Sequence, residues 1–512
     1  MFKDPKSMNA KDIEREPVFQ ERASDWRNGA IVYQVLVDRF VPPQNPSEKS
    51  TRYAPPRVFK KWDELPKAGG YNLENKVWTH EIEFWGGDLK GVQSKLNYIK
   101  NLGADILYLN PIFLSYTNHK YDTWDYHEID PGYGTREDLS ELTRRAHQCG
   151  MRVILDGVFN HMGRQSPMVR EALSRSENKW HDFFKFDERS RYGYIAWSDV
   201  ENLPELNLEN EMVQDYIFGA KNSVVQSYLL NENIDGWRLD VAYDMGFSLL
   251  SKLTKAAKSA KPDCEIIGEI WNYPEEWSPA VDGVMNMHGR NIILHMVQGK
   301  IHPAVAAKMW ETMIRDSGID PILKSWLVLD NHDTPRLRSA LPNLWASKMA
   351  RVLQLTLPGS PCIYYGAEVG LTGGNDPEMR NPMKWDLVTD SNECYLFHKK
   401  LLSIRKSEPA LRYGDFRLMN AQNLFAFLRR TNSISEIIIV VANPFKKDIT
   451  EYLQVRESKI PNGTTFIDLL TEEKFSIHSG LLEMKTPAQT VRILKPDLSE
   501  SPQGYSRFDR VY

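Results

Sequence analysis

RVILDGVFNH, residues 152–161, passes from a short β-branched apolar run directly into Asp156, Asn160 and His161. A run of that length without polar alternation reads as a strand buried on both faces, the kind found in parallel sheets covered by helices. Seven further runs repeat the pattern, giving predicted strands at 31–37, 105–109, 152–158, 236–239, 265–268, 283–286, 326–329 and 362–365. Helical periodicity fills the stretches between them. Asp88, for example, stands where it can cap the helix of LKGVQSKLNYIKNLG (89–103), and Gly103 where it can end it. Eight strand–helix units close without leaving an edge, so an eight-stranded β/α (TIM) barrel is the expected α/β fold. A doubly wound open sheet is the alternative, and no GxGxxG or Walker-type loop supports it.

Residues 41–84 and 162–204 break the alternation, the second containing WHDFFKFDERSRYGYIAW. Long loops after barrel strands usually carry function, so 162–204 is read as a loop domain inserted after strand three. Past residue 412 the chain changes to alternating segments such as NLFAFLRR, SEIIIVVAN, TFIDLL and QTVRIL, which predict an antiparallel β-sandwich domain. The expected organisation is therefore an N-terminal extension (1–28), a barrel (29–411), a C-terminal β domain (412–497) and a tail (498–512).

Charge narrows the function. With 64 Lys+Arg against 68 Asp+Glu, the net charge of −4 offers no basic field for nucleic acid, so a neutral substrate is expected. The opening residues have no apolar core of a secretory signal, and no apolar run is long enough to span a bilayer. Cys149, Cys264, Cys362 and Cys394 form no CxxC unit and read as free thiols. These features together predict a soluble cytoplasmic protein without nucleic-acid or membrane partners; they leave its oligomeric state open.

In a β/α barrel the residues directly after each strand face the site. Strands three, four, five and seven end in ILDGVFNH, GWRLD, EIIGEIW and LVLDNHD, offering Asp156, Asn160, His161, Arg238, Asp240, Glu269, His332 and Asp333 to one space. Any one of them could simply cap a helix or turn. Three carboxylates, two histidines and an arginine converging is costly unless the charges are used or paired. Cleaving a glycosidic bond with retention needs a nucleophilic carboxylate and a protonated carboxyl roughly 5–5.5 Å apart. Arg238 lies two residues before Asp240 on an extended strand, shares its face, and would hold it ionised as the nucleophile. Glu269, after an apolar run and before Trp271, has surroundings expected to keep it protonated as the acid. Asp333 would stabilise an oxocarbenium-like centre, and His161 and His332 would donate to sugar hydroxyls.

With those residues identified, the chain resembles the α-amylase family of glycoside hydrolases. DGVFNH (156–161), GWRLD (236–240), GEIW (268–271) and DNHDTPR (330–336) look like four signature regions of that family in order, and LPELN (203–207) like a fifth. The resemblance implies Asp240 as nucleophile, Glu269 as acid/base and Asp333 as third carboxylate. It also implies that Arg238, His161 and His332 contact the nucleophile or its sugar, with Tyr121 stacked beneath that sugar and Asp156 paired to Arg238. Asp376 and Arg380 would hold the next sugar outward, and Trp271 would either stack on the leaving group or, like Trp237, pack in the wall. GWRLDVA, GEIW, HKYDTWDYHEID and PCIYYGAEVGLTGG look most like the neopullulanase, cyclomaltodextrinase and maltogenic amylase group. From that group the chain departs in lacking the N-terminal β domain, since strand one already begins near Ile31. Tyr243 and Asp244 stand where many α-amylases have Lys and His. The reaction needs no cofactor. Asn160 matches a position that often supports a structural calcium, but VPPQNPSEKS (41–50) lacks the Asn/Asp-rich ligands the group carries there. The expected function is thus hydrolysis of α-1,4-glucosidic bonds in maltooligosaccharides, cyclodextrins or starch-type α-glucans. A glucanotransferase on the same scaffold is the first alternative, and a non-catalytic binding subunit the remote one.

Overall fold

A computed structural model describes residues 9–174, 178–499 and 508. Its barrel strands, numbered one to eight, are Val32–Val35, Ile106–Leu109, Arg152–Gly157, Gly236–Leu239, Glu265–Ile270, Gly283–Asn286, Trp326–Val328 and Ser360–Tyr364. They run in sequence order, all parallel, and strand eight closes on strand one with Cys362 opposite Val32. Each lies within a residue or two of its predicted span.

The period of two along a strand sorts its side chains. Ile267 of strand five belongs to the packed barrel interior with Val32, Tyr108, Ile154, Met285 and Trp326, whereas Ile266 and Ile270 face the helices. Glu265, Ile267 and Glu269 therefore climb the inner face, the last reaching the mouth. On strand four Arg238 points inward, while Trp237 and Leu239 pack outward. At Gly236 a Cβ would stand 2.1 Å from the Glu265 carbonyl oxygen, so only glycine lets strands four and five lie this close.

Asp88 Oδ1 accepts from Gly91 N–H at 2.8 Å, and Gly103, at φ 97°, ends the helical stretch, which breaks at Lys95 into Leu89–Ser94 and Leu96–Leu102. The insertion at 41–84 carries a hairpin, Tyr71–Asn72 paired with Val77–Trp78. The insertion at 162–204 holds a helix, Pro167–Ser174, and antiparallel bridges from Ala196 to Pro204 and from His161 to Glu205. Eight antiparallel strands at 415–496 form the C-terminal sheet around its own core of Leu424, Ile439, Phe466, Leu482 and Leu494.

Within 1–28, read from sequence as a polar extension, a helix spans Ala10–Ser24. It is fastened largely by charge: Asp12 pairs with Lys459 at 2.6 Å, and Arg22 with Asp320 at 2.6 Å and Asp415 at 2.8 Å. Anchors of that kind leave no apolar stripe for periodicity to detect. Residues 1–8 and most of 498–512 lie outside the described residues; Phe508 is buried against the C-terminal core. No helix among the described residues is long and apolar enough to cross a membrane.

Candidate active site

A cavity of 690 Å³ opens at the carboxyl ends of the strands, within the range of small-molecule sites. Tyr121, His161, Asp240, Glu269, His332 and Asp333 line it from the barrel, joined by Asp376 and Arg380 from beyond strand eight. Both insertions contribute walls: Tyr71, Lys76 and Trp78 from 41–84, and Trp197, Asn202 and Leu203 from 162–204.

Arg238 sits beneath the cavity, fully buried. Its partner Asp156 is level with it in register on strand three, so two inward side chains on adjacent strands meet. Nη1 donates to Asp156 Oδ1 at 2.7 Å and to Asp240 Oδ1 at 3.0 Å, and Nη2 lies 2.9 Å from Glu269 Oε2. One guanidinium thus touches carboxylates from three successive strands. Asp156 also accepts from the hydroxyls of Tyr108, at 2.5 Å, and Tyr121, at 2.8 Å. Burial pushes the Asp240 carboxyl well above the usual carboxylate range; Arg238 pulls it down, but Glu269, Asp156 and Asp333 add to the rise. The expectation that Arg238 holds Asp240 ionised is therefore corrected: burial outweighs the pull of the guanidinium.

His332 is held as one neutral tautomer. Its Nδ1 faces the amide nitrogens of Gln34 at 3.0 Å and Asn110 at 3.1 Å, both donors, so Nδ1 accepts and the proton rests on Nε2. Burial, with Arg238 and Arg380 nearby, pushes the ring well below the usual histidine value. Nε2–H then serves Tyr121 Oη at 2.5 Å and Asp333 Oδ2 at 3.1 Å. The Tyr121 ring stacks on His332 at 5.2 Å, nearly coplanar at 4°.

Asp333 keeps 32% of its side chain open to the cavity. Burial of the rest and the Glu269 charge push it up to about 7, against the pull of Arg380. Arg380 Nη2 is 3.7 Å from Asp333 Oδ1, and its Nη1 pairs with Asp376 Oδ1 at 3.1 Å. Asp376 Oδ2 meets His80 Nε2 at 3.3 Å, while His80 Nδ1 accepts from Gly69 N–H at 3.1 Å. Burial acts to raise Asp376, but His80 and Arg380 win and hold it at about 2.

Glu269 has a polar setting, which corrects the apolar surroundings expected from sequence. Trp271 Nε1 donates to Oε1 at 3.0 Å and Val241 N–H to Oε2 at 3.1 Å, beside Arg238. Val241 adopts φ 51° and ψ 35°, a left-handed conformation that β-branched residues avoid, and its N–H reaches Glu269 from that backbone. Trp271 is half exposed at the cavity edge, whereas Trp237 is packed against Phe113, Phe159 and Tyr228 as wall.

The His161 ring is buried and stacks on Trp197 at 5.5 Å. Burial pushes it down to about 3, so it is neutral. Asn160 lies buried outside the cavity lining, its backbone oxygen accepting from Leu206 N–H at 3.0 Å. Among the described residues no group of three or more His, Cys, Asp or Glu side chains could hold a metal ion. Around the 41–50 loop, Lys49 occupies Asp88 at 2.7 Å and Asn45 Oδ1 accepts from Glu48 N–H. That donor set does not fit the six to eight oxygens calcium takes.

Sequence reasoning passed over Gln34, His80 and Asn110. Asn110 directly follows strand two, in LYLN, and the rule applied to four other strand ends would have found it.

The chain matches the α-amylase catalytic-domain family over residues 34–402. It is 34% identical over 442 residues to a cyclomaltodextrinase of Thermoanaerobacter pseudethanolicus, covering 83% of this chain and 72% of that protein. To neopullulanase 2 of Thermoactinomyces vulgaris it is 33% identical, covering 92% and 78% respectively. A cyclic α-maltosyl-(1→6)-maltose hydrolase from Arthrobacter globiformis, solved with maltose, superposes with a TM-score of 0.76 at 26% identity, covering 92% of this chain and 100% of that one.

Proposed function

This chain belongs to the α-amylase family of glycosidases, and from that premise we propose that it hydrolyses α-1,4-glucosidic bonds with retention, in maltooligosaccharides, cyclodextrins or starch-type α-glucans. Asp240 Oδ attacks C1 of the sugar above it while Glu269 protonates the glycosidic oxygen, and the aglycone departs. Glu269 then takes a proton from water, whose oxygen attacks C1 and releases Asp240. One observation carries the reading: Arg238 touches both Asp240 and Glu269 through its two terminal nitrogens. A single planar guanidinium keeps two carboxylates near each other, as a double displacement requires.

The other residues take supporting parts. Tyr121 lies beneath the reacting sugar, and Asp156 fixes both Tyr121 and Arg238. His332 and the neutral ring of His161 face the sugar hydroxyls from the cavity lining. Asp376 and Arg380 receive the next sugar. Asp333 stabilises positive charge at C1 once ionised. Asn160 supports the strand end behind His161. No cofactor, nucleic acid or membrane enters the scheme, and a cytoplasmic setting agrees with one relative being an intracellular maltogenic amylase of Bacillus subtilis.

The test is the anomer formed first. Proton NMR should show the α-anomer before mutarotation, and Asp240→Asn should lower kcat roughly 10³-fold or more with folding intact. A β-anomer as first product would mean inversion and overturn the scheme. Transfer to a sugar hydroxyl is a second reading, favoured by Tyr243, 58% exposed, which lines the cavity together with Glu269 and Trp271. Longer products from concentrated maltotriose would favour it.

A further inference from the structure

A second cavity, of 440 Å³, lies at the seam between the helix Ala10–Ser24 and the C-terminal domain, and shares no lining residue with the active one. Small-molecule sites are mostly apolar, whereas Val455 is the one apolar side chain among the described residues of this lining. Lys11 and Arg15, four apart on one helix face, enter from one side. Arg417 and Arg430 enter from the paired strands Asp415–Leu418 and Phe425–Arg430, and Arg456 and Lys459 from the loop after the strand Ile449–Gln454. Six cations thus face two carboxylates, Asp12 and Glu457, on a chain whose net charge is −4.

The floor of this cavity is an ion network that uses up both carboxylates. Lys459 Nζ pairs with Asp12 Oδ1 at 2.6 Å and Arg430 Nη1 with Glu457 Oε2, and all four residues are more than nine-tenths buried. Arg15 pairs with Asp415, which also takes Arg22 at 2.8 Å. Arg417 lies 3.7 Å from the Glu457 oxygen that Arg430 already holds, and its Nη1 donates to the Arg456 carbonyl at 2.8 Å. Lys11 and Arg456 stand exposed at the rim and add two further charges. Burial, and after it the charge of Arg430, pushes both Arg15 and Arg417 below the usual arginine value. Lys11 also sits in the first turn of its helix, where the positive end of the backbone dipole disfavours a cation. An anion between these groups relieves all of that repulsion, and guanidinium forks match phosphate oxygens in pairs.

We propose that this cavity is a binding site for a phosphorylated small molecule carrying at least two negative charges, held by Arg15, Arg417 and Arg456 with Lys11 at the helix start. A volume of 440 Å³ suits one such molecule. The ligand touches the helix and the C-terminal domain at once, so it fastens a helix otherwise held largely by the ion pairs to Lys459, Asp320 and Asp415. The site does not depend on the reaction carried out in the barrel.

The experiment titrates the full chain calorimetrically, at constant ionic strength, with inorganic phosphate, pyrophosphate, glucose 1-phosphate and a nucleoside triphosphate, and follows thermal melts in parallel. At least one of them should bind one-to-one with a Kd of about 1 mM or tighter and raise Tm. Glucose 1-phosphate or the triphosphate ranking above inorganic phosphate would place a sugar or nucleoside in the cavity beside the phosphate; equal affinities would place the phosphate group alone. The double variant Arg417→Gln/Arg456→Gln should weaken binding about tenfold or more, and Lys11→Glu about threefold or more, each with the ligand-free Tm close to wild type, since these side chains reach solvent. Binding should persist in Arg380→Gln, which removes an arginine from the active cavity. The proposal is overturned by the absence of saturable binding of all four compounds below about 10 mM. Unchanged affinity in both cavity variants, or loss of binding in folded Arg380→Gln, overturns it equally. Tighter binding of hexaglutamate than of any phosphate compound would replace it with a docking patch for an acidic protein.

Discussion

Replacing Arg238 with methionine removes the guanidinium that touches Asp156, Asp240 and Glu269 while keeping an apolar stem beside Met285, whose sulfur lies 3.3 Å from Arg238 Nε. A cation about 4 Å from an anion contributes about 4 kcal/mol at an effective dielectric of about 20. Losing that attraction makes the ionised form of Asp240 rarer by about a thousandfold below its titration point. Arg238→Met should therefore move the acid limb of the kcat/KM profile on maltotriose to higher pH, with activity recovering as pH rises. Stability follows the same logic with a definite sign. Folded-state values raised above the unfolded ones leave stability intact at low pH and erode it as pH rises. Thermal melts of Arg238→Met should approach the wild type near pH 4 and fall away by pH 8, toward the roughly 3–5 kcal/mol cost of an uncompensated buried charge. Arg238→Lys, which keeps charge but cannot bridge, should move the limb less. An acid limb that stays in place while activity is lost evenly at all pH would refute the electrostatic reasoning and leave Arg238 a purely geometric role.

Glu265 stands buried at the inner base of strand five, and burial, aided by Asp282, pushes it well above the usual value. It should cost about 1.4 kcal/mol of stability per pH unit above the unfolded carboxylate value, up to its own folded value. Glu265→Gln should flatten that slope in chemical denaturation at several pH values; an unchanged slope would mean that Glu265 carries no proton at neutrality. Trp271→Phe keeps an apolar face but loses the 3.0 Å bond to Glu269 Oε1. A charge-assisted bond of this type contributes about 1.5–3 kcal/mol, so kcat should fall roughly 10- to 100-fold at similar KM. A risen KM with kcat intact would instead assign Trp271 to stacking alone.

The barrel was legible because each strand is a short apolar run bounded by turn and cap residues, and local pattern alone locates such runs. The helix Ala10–Ser24 was not, because Asp12 and Arg22 are buried by partners more than 290 positions away, including Lys459, Asp320 and Asp415. Nothing within a window of helical length records such a partner. The same distinction runs through the site. Asp156, Arg238, Asp240 and Glu269 follow from strand position and register, which a one-dimensional reading can reconstruct. His80 and Trp78 sit in an insertion whose residues carry no periodic signal.

Protonation was the harder matter, since it depends on how many charges share one space. Arg238 two residues before Asp240 argues locally for an ionised nucleophile, yet burial outweighs the guanidinium, and the charges of Glu269, Asp156 and Asp333 from other strands add to the rise. Glu269 looked apolar in EIIGEIW because strand alternation sends Ile266 and Ile270 outward, away from it. The backbone supplies what those neighbours do not: Val241 takes a left-handed conformation and aims its N–H at Glu269 Oε2. A valine at φ 51° costs about 1–3 kcal/mol, and a surrounding structure must over-determine it. The strain lies between the residues assigned as nucleophile and acid, where a relaxed loop would let Glu269 drift from the bond it protonates. Composition and periodicity cannot report a conformation that the residue itself resists, so this part of the site becomes visible only in three dimensions.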